Sequence, residues 1–182
     1  KADNGADNTM TVTVNTNTGN AAVNVGPQQG NAISGGGNVT IRMPSIPGVN
    51  SCSLGVPVAY LTTPGGGSLT FDTDAGSITL PADMLADISG AEGKKAEITI
   101  GQGDKSGLPD DVRAAIGDRP VVQITLAIDG RQTDWSNPNA PVTVNIPYTP
   151  TADELKNPDS IVVWYIDGSG NPQCVTNGHY DP

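Results

Sequence analysis

The stretch Val142–Gly170, VTVNIPYTPTADELKNPDSIVVWYIDGSG, decides the class of fold. Its two ends, Val142–Pro147 and Ile161–Asp167, are rich in Val, Ile and aromatic side chains, which suit a pleated, half-buried strand. Between them Thr151-Ala-Asp-Glu154 has capping-box spacing, so the link starts with a turn of helix, and Asn157-Pro158 ends it. Alternation along Ile161–Asp167 places Val162, Trp164 and Ile166 on one face and Val163, Tyr165 and Asp167 on the other. Because the first set is the more apolar, it is expected in the core, with Tyr165 more exposed. Asp167-Gly-Ser-Gly-Asn171 is hairpin-turn chemistry, and it returns Pro172–Thr176 against the strand before it.

Working outward, the same period of two recurs. Val121–Ile128 alternates over its whole length, with Val122, Ile124, Leu126 and Ile128 expected inside, and it turns at Asp129-Gly130. Ala96–Ile100, Val39–Met43 and the hairpin of Ser68–Asp72 with Ser77–Leu80 read as strands, as do Thr11–Asn15 and Ala22–Val25. Ser53–Thr62 is another, with Pro57 marking an edge or a bulge. Pro81–Ile88 and Leu108–Ile116 fit short helices, each with an early proline. Gly26–Gly37, with its glycines and glutamines, reads as an exposed loop, and residues 1–9 as a frayed leader. The predicted architecture is mainly β: a β-sandwich of about ten short strands with two or three very short helices. Residues 10–182 read as one module, with a sub-boundary at 64–67 if the Pro64-Gly-Gly-Gly67 run serves as a linker rather than a loop.

Composition narrows the partners. The 182 residues include 23 Gly and 15 Pro, which disfavours long helices. Nine Lys plus Arg against nineteen Asp plus Glu give a net charge of −10, a sign that repels nucleic acid and anionic membrane. Neither is expected as a partner, and no apolar run is long enough to insert into a bilayer as a helix.

Residues able to carry chemistry are few. Asp72-Thr-Asp74-Ala-Gly76 resembles the first half of a calcium loop, but the twelfth position is Asp83 rather than Glu, so a hairpin turn is the better reading of Asp72 and Asp74. No other cofactor is suggested. Trp135, Tyr148, Tyr165 and Tyr180 could stack on sugar rings; with Trp164 and Tyr148 assigned to the core, Trp135 and Tyr165 remain as surface rings. The acid pairs Asp110/Asp111 and Asp153/Glu154 each sit in a helix's first turn, where the helix dipole accounts for them. His179 is the single imidazole and falls in a terminal turn. With no nucleophile–base set and no GxSxG or HExxH motif, an enzyme is not expected. Cys52 and Cys174 are too few for a zinc site and leave either a disulfide or two free thiols.

The segment PVTVNIPYTPTADELKNPDSIVVWYIDGSG, followed by Asn177-Gly-His-Tyr-Asp181, resembles a β-rich module of bacterial cell-surface proteins, chiefly of Firmicutes, that often precedes S-layer homology repeats. GSITLPADMLADI and LPDDVRAAIGDRPVVQITLAIDG resemble the same module in the same order, so the likeness covers about Ser68–Pro182, and Ser68–Leu85 is distantly similar to the ZU5 type of sandwich. The resemblance implies a non-catalytic extracellular spacer at the bacterial cell surface, whose partners are neighbouring domains of the same polypeptide. The alternative is a carbohydrate-binding module, attached to a glycoside hydrolase or an adhesin, that holds cell-wall or plant polysaccharide. In the extracellular setting it implies, Cys52 and Cys174 are expected to be bonded. The resembling modules also continue into one more strand, which implies an open β edge near the C-terminus.

Overall fold

Period-two burial builds a sandwich from the first part of the chain. The computed structural model describes residues 10–182, so the leader reading of residues 1–9 lies outside the described residues. Contacts divide the chain into two units: the described part of Lys1–Gln102 with Val122–Ile146, and Gly103–Val121 with Pro147–Pro182. The Pro64–Gly67 run lies inside the first unit. There the Gly67 N–H donates to the Ile33 carbonyl at 2.8 Å, and the Gly67 carbonyl accepts from Ala82 N–H at 3.1 Å.

In the first unit, β1 (Thr13–Asn15), β2 (Asn20–Asn24), β4 (Ser51–Pro57), β7 (Lys95–Gln102), β8 (Val122–Ile128) and β9 (Arg131–Gln132) form one sheet in the order β1-β2-β4-β7-β8-β9. A second sheet, ordered β10-β6-β5-β3, is made by β3 (Asn38–Arg42), β5 (Ser68–Thr73), β6 (Gly76–Pro81) and β10 (Thr143–Asn145). The β2–β4 and β3–β5 pairs are parallel, and the others are antiparallel. Every second residue turns inward: Ala21 and Val23 from β2, Leu54 and Val56 from β4, Ala96, Ile98 and Ile100 from β7 meet Leu69, Phe71, Ile78 and Leu80 from β5 and β6 in one core. In β8 the expected face is the inner one, with Leu126 and Ile128 buried. The fold is therefore a mainly β sandwich.

Three local readings are corrected. Pro27–Ser34, read as loop, is a helix, α1, whose Ile33 is buried in the core. Gly30 faces the Tyr60 ring so closely that a Cβ there would lie 2.1 Å from a ring carbon, so only glycine admits this approach. Pro81–Ile88, read as a helix, is instead the last residue of β6 followed by a chain of turns, held by i→i+3 bonds such as Met84 N–H to the Pro81 carbonyl at 3.2 Å, with Met84 and Leu85 buried. Pro57 marks neither an edge nor a bulge: it is the last residue of the central strand β4, where its missing N–H interrupts nothing, and a 3-10 turn, Val58–Leu61, follows.

The second unit holds α2 (Asp110–Ile116), 3-10 turns at Glu154–Lys156 and Pro158–Ser160, and a two-stranded ribbon of β11 (Trp164–Ile166) and β12 (Pro172–Cys174). No hydrophobic side chain of this unit is fully buried. The expectation that Val162, Trp164 and Ile166 form core is thus overturned. Val162 and Trp164 are exposed, Trp164 at 55% and Tyr165 at 58%, and Ile166 is half-buried. A ribbon of two three-residue strands has no second layer to cover either face, so alternation there does not translate into burial.

Candidate functional site

The most highly connected polar centre lies in the second unit, on Glu154. The Thr151–Glu154 capping box forms as its spacing predicts. Thr151 N–H donates to Glu154 Oε2 at 2.8 Å, and Glu154 N–H donates to Thr151 Oγ1 at 3.3 Å. The same carboxylate accepts the Tyr148 hydroxyl at 2.7 Å, the Thr151 hydroxyl at 3.0 Å and Arg119 Nη2 at 3.0 Å. Arg119 comes from the Gly103–Val121 segment, so Glu154 ties the two stretches of this unit together. These donors, led by the Thr151 N–H and then the Tyr148 hydroxyl, hold the Glu154 carboxyl at a pKa of about 2, against an ordinary 4.5. The Tyr148 hydroxyl is raised in turn, first because it donates to that carboxylate. A carboxylate ionised this firmly and saturated with donors is a clamp rather than a proton carrier.

The second feature is the β11–β12 ribbon. Val175 N–H donates to the Val163 carbonyl at 2.9 Å and Asp167 N–H to the Asn171 carbonyl at 3.1 Å. Tyr165 is paired with Gln173 between them. Bonded positions alternate in an antiparallel ladder, so Trp164 and Ile166 direct their backbone N–H and C=O away from β12. Asp167 closes the hairpin as its sequence predicts. Its Oδ1 accepts Ser169 and Asn171 N–H, each at 2.9 Å, and the Asn171 donors are the main reason its carboxyl titrates below the usual range.

The other singled-out residues are placed as follows. Asp72 points outward from β5, where its Oδ2 accepts Arg42 Nε at 2.8 Å, while exposed Asp74 sits in the turn that the Thr73 hydroxyl closes onto the Gly76 carbonyl at 2.8 Å. No group of three or more His, Cys, Asp or Glu able to hold a metal comes together among the described residues. Trp135 is half-buried against the sandwich core, whereas Tyr165 is exposed in the other unit. Cys52 and Cys174, expected to be bonded, are free thiols in this structure. Cys52 is half-buried on β4 of the first unit, and Cys174 is exposed on β12 of the second. Cys52 lines a small cleft with Asn50, Thr73, Asp74, Ile100 and Gln102. Burial, and then the Asp74 charge, push its thiol pKa up, the opposite of what a reactive cysteine needs.

What sequence reading missed is the dress of the sandwich. On the β10-β6-β5-β3 sheet the register lines up Thr40, Thr70, Thr79 and Thr143 in one outward row. Neighbouring strands are tied by Thr70 to Thr79 at 2.9 Å, Ser68 to Asn38 at 2.9 Å and Asn145 to Ser77 at 3.3 Å. The other sheet repeats the device, with Asn20 Nδ2 donating to Ser51 and Ser53 at 3.0 Å and Ser53 sharing a bond with Thr99 at 2.8 Å. Alternation of Thr with Ile and Val carries this signal, but it becomes a pattern only once register is known.

No protein-family model matches the chain, and neither characterised proteins nor solved structures yield a match.

Proposed function

We propose that this chain is a non-catalytic spacer or display module of a bacterial cell-surface, S-layer-associated multidomain protein, working outside the cell beside neighbouring domains of the same polypeptide. The observation that carries the reading is the pair of side-chain ladders on the two outer faces of the sandwich. Each ladder couples adjacent strands by direct hydrogen bonds in addition to the backbone ladder, which stiffens a sheet against shear between its strands. The acidic balance, −10, keeps such a unit soluble and off other anionic surfaces. Its resemblance to modules preceding S-layer homology repeats adds the extracellular location. No helix among the described residues is long and apolar enough to cross a membrane, so attachment in this reading comes from the neighbouring domains.

The proposal includes no cofactor, calcium among them, and no catalytic residue. A carbohydrate-binding role is the competing reading, because Trp164 and Tyr165 are exposed rings. They are adjacent on one strand and therefore face opposite sides of the ribbon, so they do not make one stacking surface. Retention on insoluble cell-wall and plant polysaccharides, with a glycan panel beside it, tests the choice. The spacer reading expects the protein in the unbound fraction throughout. Saturable retention that is lost in Trp164→Ala or Tyr165→Ala would replace it with the carbohydrate-binding reading.

A further inference from the structure

We infer that the free edge of β11 is a docking site for an extended, lysine- or arginine-bearing strand of a partner protein. The edge is open in a specific way: the backbone groups of Trp164 and Ile166 point away from β12, and among the described residues no other strand pairs with them. The opposite edge of the ribbon is blunted, since Pro172 has no N–H to offer. Exposed Val162, Trp164 and Tyr165 flank the open edge, and this unit buries no hydrophobic side chain fully, so a third strand would both complete the ladder and cover apolar surface.

Charge selects the occupant. Each cation of the unit is already engaged: Lys105 donates to the Gly117 and Arg119 carbonyls, Arg113 pairs with Asp110, Arg119 with Glu154 and Lys156 with Asp153. Among the described residues, Asp111, Asp118, Asp159 and Asp181 have neither an ion pair nor a side-chain hydrogen bond, and Asp159 lies in the 3-10 turn just ahead of β11. A second copy would bring the same unbalanced carboxylates, whereas a basic strand would answer them.

The test uses the full chain, isotopically labelled, and a capped peptide of about seven residues alternating Val and Lys, one strand's length. The expected result is that the peptide slows amide exchange at Trp164 and Ile166 at least about tenfold, with weaker protection as salt is raised. A peptide with Glu in place of Lys, or with a central Pro, should give none. Ile166→Pro should abolish the effect while leaving the amide spectrum of the sandwich unchanged; Trp164→Ala, which keeps the edge but removes the ring, should weaken it. Unchanged exchange at both amides overturns the inference. So does equal protection by the Glu peptide, or protection that rises with protein concentration without peptide, which would give the edge to a second copy.

Discussion

Glu154 shows how one side chain can hold a unit that lacks a deep apolar core. Its folded-state pKa of about 2 lies below its ordinary 4.5, so the stabilisation it gives is complete above roughly pH 4.5 and is lost as pH falls toward 2. Following the carboxyl carbon by NMR should give a midpoint near 2, with the Trp164 indole resonance shifting over the same range. Glu154→Gln should loosen this unit at neutral pH and flatten its response between pH 4.5 and 2, leaving sandwich resonances in place. A midpoint near 4.5 would mean that the donors do not hold the carboxylate. The thiols supply a second check at this scale. Under non-reducing conditions exposed Cys174 should react with a maleimide quickly and Cys52 slowly, and the recovery of an intramolecular disulfide would contradict both assignments. Only the local half of the Glu154 centre was legible in the sequence. Thr151 and Glu154 are three residues apart and announce their bond; Arg119 is 35 residues away, and no spacing rule reaches it.

At the scale of elements, the sandwich and the ribbon should answer to mutation very differently. Phe71→Ala removes a fully buried ring from β5 and should cost about 3–5 kcal/mol in denaturant unfolding. Trp164→Ala, in the run that looks most like core by composition, should change stability within about 0.5 kcal/mol, as surface substitutions do. Gly30→Ala is the sharper case. Helix propensity alone would make it stabilising, but the Tyr60 ring occupies the space, so a loss of about 1–3 kcal/mol is expected from overpacking. Hairpins and strand faces were legible because β5 and β6 alternate strictly over six residues against a second sheet, and β8 buries Leu126 and Ile128 on its expected face. Helix α1 was not, because PQQGNAIS has a single strong apolar anchor, Ile33, and its helix is secured by contacts formed only in the folded chain. The Ile161–Ile166 run misled for the converse reason: it has the composition of a core strand and no layer to pack beneath.

For the molecule as a whole, apolar burial is concentrated in the first unit, while the second is held by polar ties and carries the exposed rings. A spacer built this way should keep its sandwich under load and yield first at the second unit, whose ribbon has few bonds to break. Pulling the chain by its two ends in an optical trap tests this division most directly. The account predicts two separated extensions, the low-force one abolished by Glu154→Gln and the high-force one lowered by Phe71→Ala. A single low-force extension involving both units together would contradict the reading of this chain as a stiff, load-bearing module.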